Sequence, residues 1–153
     1  MLFIDNILND TSDADVAFRS GNGKAFVKAY AGGGMVANTP YAIQFSASLY
    51  NATVLAASIW GMVGVPERVC ASGCTGWVQV RGNVEGVQAS AAESTGSVGH
   101  IIQWHAGTIC ASSSTHIGSP YTGDVGMLTQ EADASTTLNI WLNGIYVTPL
   151  AAG

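Results

Sequence analysis

The chain has 153 residues, enough for one domain, and its five Lys and Arg against ten Asp and Glu leave a net charge of −5. The five cations are scattered, which argues against DNA or RNA binding, because nucleic acid is held by clustered cations that displace phosphate counterions. Only 10% of the residues are charged, against about 25% in an average domain, so a surface partly covered by other subunits is expected rather than a solitary monomer.

The first twenty residues differ from the rest. Asp5, Asp10, Asp13 and Asp15 surround the apolar Ile4, Ile7 and Leu8, and no amphipathic stripe follows, so residues 1–20 are expected to form an extended arm. The segment MLFIDNILND has no basic n-region and is not read as a signal peptide. Ser20-Gly-Asn-Gly is a turn signal that opens a single domain over 21–153. KAFVKAY (24–30) reads as a strand, Gly32–Gly34 as a turn and PYAIQFSASLY (40–50) as the next strand run. The apolar stretch Ala52 to Val65 is shorter than the about 20 residues of a spanning helix. It reads as one or two buried strands, and no membrane insertion is expected.

After a loop from Glu67 to Gly76, Gly76–Val84 alternates, with Val78 and Val80 on one face and Trp77, Gln79 and Arg81 on the other. That is the pattern of a half-buried strand. GHIIQWHAGTIC (99–110) is strand-like again. In Thr137–Leu142 the residues Leu138, Ile140 and Leu142 share one face, and Asn139 and Trp141 the other. Asn143-Gly144 suits either a type I′ hairpin turn or a bulge in a longer terminal strand. Short strands parted by Gly, Ser, Ala and Asp predict an all-β fold, a small barrel or a sandwich.

Little in this pattern is catalytic. Cys70, Cys74 and Cys110 are odd in number and are expected to be reduced, and a loose CxxxC with scattered histidines lacks the two tight ligand pairs of structural zinc. Cys110, His105 and Asp124 can be drawn as a nucleophile site, but no nucleophile elbow, P-loop or dinucleotide fingerprint accompanies them. Glu131 and Asp133, if placed on a strand, share a side and blunt a sheet edge. No metal, cofactor or enzymatic activity is expected. Trp60, Trp77, Trp104 and Trp141 read first as core or barrel-wall residues. Interfaces are enriched in Trp and Arg, so Trp77 or Trp141 is the candidate anchor of a subunit contact, with Gln79 and Arg81 on the Trp77 face.

The order of pieces carries a resemblance. An acidic arm is followed by FVKAYAGGGMVANTPYAIQF, VGVPERV, GWVQVRGNVEGVQAS, GHIIQWHAGTIC, VGMLTQEADAS and LNIWLNGIYV, spanning about residues 24–148. This resembles the small β-rich decoration, or cement, proteins of tailed-bacteriophage heads. The resemblance implies a β-barrel or β-tulip domain, made in the host cytoplasm and seated on the outer surface of the capsid. Its implied partners are the major capsid protein and further copies of itself, with a trimer favoured. It also implies an arm that reaches a neighbour, which would place Ile4, Ile7 and Leu8 in that contact. The alternative reading is another virion β-protein: a head-fibre base, a tail component or a carbohydrate-binding adhesin that stacks sugars on a Trp.

Overall fold

The computed structural model describes residues 18–46, 49–54, 61–89, 95–105, 108–111, 124–133 and 136–144, and among these the regular elements are ten strands. The first hairpin joins β1 (Phe18–Gly21) to β2 (Lys24–Ala31). Its two-residue loop holds Asn22 and Gly23 at φ of 51° and 76°, the left-handed pair that matches strand twist and that Asn-Gly supplies without strain. Because β1 begins at Phe18, the folded part takes in residues 18–20, which the turn signal alone assigned to the arm. Ile4, Ile7 and Leu8 lie outside the described residues.

The run 40–50 is divided. β3 (Tyr41–Ser46) and β4 (Leu49–Val54) pair antiparallel from Tyr41↔Val54 to Ser46↔Leu49. The stretch Ala52 to Val65 likewise contributes the end of β4 and most of β5 (Met62–Pro66). The fifteen-residue β6 (Cys74–Gln88) follows, and its first half pairs with both β5 and β2. A parallel contact between β2 and β4, Ala29↔Tyr50 and Tyr30↔Asn51, completes the ring β2–β4–β3–β5–β6. The result is a closed five-stranded barrel.

Five strands enclose less room than the eight that just accommodate ordinary side chains. The interior is accordingly small: Ala25, Val27, Ala29, Ala31, Ala52, Val78 and Val80, with Ile43 the one bulky aliphatic of the wall. Gly64 belongs to the same economy, since a Cβ there would stand 2.5 Å from Val78 Cγ1 and 2.6 Å from Ile43 Cγ1. One end of the barrel is plugged by Met35, which exchanges backbone hydrogen bonds of 2.8 and 2.9 Å with Cys70. The Val36 N–H next to it donates to the Tyr41 hydroxyl at 2.9 Å.

At Arg81 the long strand changes partners. Ala25 of β2 lies on one side of it and Asn143 of β10 (Thr137–Asn143) on the other. The next residue, Gly82, sits at φ 95°, and a Cβ on it would come within 2.6 Å of the Gly23 carbonyl oxygen, so only glycine passes this crossing. Beyond it, β6 leads a sheet continued by β10, β9 (Asp124–Leu128), β7 (Ile101–His105) and β8 (Thr108–Ala111). This sheet packs on the outside of the barrel: Val84, Ile102, Trp104, Leu138, Ile140 and Leu142 share a second core with Ala42, Val63 and Val65 of β3 and β5. The expected single face of Leu138, Ile140 and Leu142 is present, all buried. Of the two alternatives that the strand pattern offered, a small barrel or a sandwich, the chain is the barrel, with a further sheet packed on its flank.

One expectation is corrected. Residues Trp77 to Val80 are buried on both faces, not one, with Gln79 fully enclosed and Trp77 8% exposed. Gln79 reads as a surface residue in sequence, but its Nε2 donates to the Arg81 and Asn83 carbonyls of its own strand at 3.0 Å each, while its buried Oε1 has no partner among the described residues. Central strands covered on both faces lose the alternation that marks a solvent side.

The tightest contacts give a graded test. Adding a methyl at Gly126, where it would meet the Trp141 carbonyl oxygen of β10, has no soft neighbour to displace. Gly126→Ala is expected to exceed the about 1–3 kcal/mol of ordinary overpacking, Gly64→Ala to fall within it, and Gly33→Ala, with nothing within 4 Å, to be nearly neutral. Urea unfolding of the three variants checks the order, and equal losses would contradict the packing described.

Candidate interaction surfaces

Two surfaces expose apolar side chains in groups. The first crosses the outer face of the second sheet. Cross-strand partners project on the same side, and the register Asn83↔Trp141, Trp141↔Met127 and Met127↔Ile101 sets these four residues in one row over β6, β10, β9 and β7. Met127 and Ile101 are 47% and 46% exposed, and Trp141 is half-buried. Polar neighbours frame the row: Thr129 Oγ1 donates to Asn83 Oδ1 at 3.2 Å, and the Asn143 amide donates to the Asp124 carbonyl at 2.8 Å.

The second surface lies at the plugged end of the barrel, a groove of about 630 Å³. Tyr30, Val36, Val54 and Val69 line it at exposures of 40 to 74%, and among the described residues no charged side chain does. The adjoining loops are tied together through the Gly73 N–H, which donates to the Ala31 carbonyl at 2.8 Å, and through the Ser72 hydroxyl, which donates to the Gly32 carbonyl. From Lys24 to Ala31 the wall strand β2 makes seven steps, so the two ends of the barrel stand about 23 Å apart at 3.3 Å per residue.

The sequence-derived contact residues are distributed as follows. Arg81 is exposed and Trp141 half-exposed on the outer face, whereas Trp77 and Gln79 of the same strand face are enclosed. Trp104 is a core residue and Trp60 lies outside the described residues. Met127, Ile101 and Val69 were missed because nothing beside them in sequence marks an apolar residue as exposed, Ile101 adjoining buried Ile102 and Met127 buried Leu128; only strand register brings the first two beside Trp141.

Of the groups weighed for chemistry, the His105 side chain lies outside the described residues. Among the described residues no three His, Cys, Asp or Glu side chains come together. Cys110 is buried, its thiol 3.9 Å from the Gln103 carbonyl, while Asp124 accepts from the Gln103 amide at 3.3 Å. Glu131 and Asp133 are both exposed and fall after β9, flanking an isolated bridge between Ala132 and Gly96. Cys70, Cys74 and Cys110 are all free thiols.

No family model and no curated protein matches the chain. A solved structure does: the N base of head fibre gp8.5 from bacteriophage phi29, at a TM-score of 0.52 and 13% identity, covering 81% of this chain and 98% of that one. The chain shares the fold of a phage head-fibre base. At this identity the likeness is one of architecture, and the residues on the two surfaces above are this chain's own.

The thiols offer a check on the described burial. Desolvation, and then the neighbouring Cys74, push the Cys70 thiol above its ordinary pKa, which lowers its thiolate fraction at neutral pH. Exposed Cys74 is expected to alkylate first, Cys70 more slowly, and buried Cys110 only on unfolding. Mass spectrometry of iodoacetamide-treated native protein reads the order directly, and early labelling of Cys110 would contradict the core.

Proposed function

We propose that the chain is a structural protein of a bacteriophage virion that works by binding protein on the outer surface of the head, without catalysis. The observation that carries this reading is the shared fold with a head-fibre base over nearly the whole of that chain. The surface chemistry supports it. Low charge and grouped exposed apolar residues suit a protein that spends its life in contact with other subunits. The partner is the major capsid protein, and the row Trp141–Met127–Ile101 is the contact: an aromatic and two aliphatic anchors inside a polar frame, the anatomy of an interface centre.

A second form of the same reading is a decoration protein that cements neighbouring capsid subunits, with self-association as a trimer. The specific feature favouring it is the presence of two apolar surfaces, the row and the groove of Tyr30, Val36, Val54 and Val69. A bridging protein needs two faces. At about 25 cal/mol per Å² of apolar area, modest contacts repeated over a symmetric shell add up.

The test is binding of the purified chain to phage heads lacking it, followed by density for the decorated particle. Density at every equivalent seam between capsid subunits favours cement, and density at a subset of sites carrying projecting fibres favours a fibre base. No binding to heads overturns the virion reading. Met127→Asp and Ile101→Asp change exposed side chains and are expected to shift stability by no more than about 0.5 kcal/mol. They are nevertheless expected to weaken head binding by at least about tenfold, or 1.4 kcal/mol. Unchanged binding would remove the row from the contact, and Val69→Asp then tests the groove.

A further inference from the structure

We propose that the open mouth of the barrel binds an acidic sugar unit, a pyranose carrying a carboxylate or phosphate group. The barrel is closed at one end by Met35 and, among the described residues, open at the other, where β1–β2, β6 and the end of β10 surround a cavity of about 670 Å³. Barrel mouths are preferred places for small-ligand sites, which run from about 300 to 1,000 Å³. The site shares Trp141 with the sheet row and takes the rest of its lining from the barrel interior and its rim, so Met127 and Ile101 of the row lie outside it.

The lining has three chemistries in one place. Its floor is apolar: Ala25, Val27 and Val80 of the barrel core, with Tyr50 and Met62 partly buried against that core. One wall is the Trp141 indole, held close to the β1–β2 turn, where a Cβ on Gly23 would stand 3.7 Å from Cη2. An indole and a phenol ring give the flat apolar surfaces on which the C–H face of a pyranose rests, while their N–H and O–H groups serve hydroxyls.

The third chemistry is charge. Lys24 and Arg81 both line the cavity, two of the five cations in the whole chain, and among the described residues no Asp or Glu lines it. Glu67 approaches from outside the lining and stands 3.7 Å from Lys24 Nζ, with both side chains about one third exposed. Arg81 is exposed and makes no ion pair among the described residues, which leaves its planar fork for bidentate capture of a carboxylate or phosphate.

Each simpler ligand leaves part of this lining unused. An inorganic anion would engage the cations and ignore Trp141, Tyr50 and Met62. An aliphatic ligand would use the floor and bury the cations without a counter-charge, a costly arrangement. A neutral sugar would fit the rings alone. Ser20, Asn143 and the glycine backbones at 21, 23 and 144 add polar groups around the rim, which suit hydroxyls better than a hydrocarbon tail.

The experiment is calorimetric titration of the full chain with glucuronate, glucose 6-phosphate, glucose, acetate and inorganic phosphate, with tryptophan fluorescence read in parallel. Glucuronate or glucose 6-phosphate is expected to bind at least about tenfold more tightly than glucose and than the matching simple anion. The stronger of the two identifies the acidic group. Arg81→Gln is expected to remove that preference while leaving the thermal midpoint unchanged, and Trp141→Leu to weaken both acidic sugars and abolish the fluorescence change. Ile101→Asp, outside the cavity, is expected to bind sugar like the wild type, which separates this site from the contact proposed for the sheet face. Equal affinity for glucose, equal affinity for the simple anions, or no heat with any of the five would each overturn the proposal.

Discussion

Strand β6 has to serve two sheets at once, and most of the architecture follows from how it does so. Its first half is hydrogen-bonded on one side to β2 and on the other to β5, which closes the barrel; its second half gives the β5 side to β10. The change occurs at Arg81 and Gly82, where the strand passes so near the Gly23 carbonyl that a side chain has no room. A sheet that forks this way leaves a wedge between its two branches. That wedge holds the second core, with the outer residues of β3 and β5 on one side and those of β10, β9 and β7 on the other. Barrel and flanking sheet are thus one cooperative unit, since neither core closes without the same strand.

The narrowness of the ring decides what the ends do. A barrel walled by alanine, valine and glycine has little apolar volume of its own and leans on the second core for burial. Its ends need separate solutions. At the Gly32–Gly34 end a loop residue, Met35, is lowered into the opening and pinned by paired backbone hydrogen bonds to Cys70. At the opposite end, among the described residues, the type I′ hairpin and the end of β10 leave the interior accessible. The two ends therefore differ in chemistry, the plugged one apolar and uncharged on its rim, the open one aromatic and cationic.

Strand existence was legible almost everywhere because β-branched and aromatic runs are punctuated by residues that turn the chain. Asn22-Gly23 and the Leu138–Ile140–Leu142 face need only local rules, twist matching in one case and period-two burial in the other. The same local rules misled at Trp77–Val80. Alternation of apolar and polar residues implies a wet side only if nothing covers it, and the buried Gln79 side chain donates both amide hydrogens along its own strand instead of to water. Division of the run 40–50 between β3 and β4 was likewise hidden, because the stretch from Ser46 to Leu49 carries no Gly, Pro, Asn or Asp, whereas two strands were one of the readings of Ala52 to Val65.

What the sequence determined by itself is the class of structure and the poverty of charge: short β runs, turn residues between them, few ionisable groups and no convergent catalytic pattern. These follow from residue type and near-neighbour spacing. Tertiary structure alone decided which residues form a surface. Ile101, Met127 and Trp141 are 26 and 14 residues apart in sequence and adjacent only through strand register. Lys24, Tyr50, Arg81 and Trp141 come from four different strands and meet only because a ring of five closes. Register and closure depend on pairings between distant segments, whose free energy lies in backbone hydrogen bonds and shared burial, and neither is written in any single stretch of the chain.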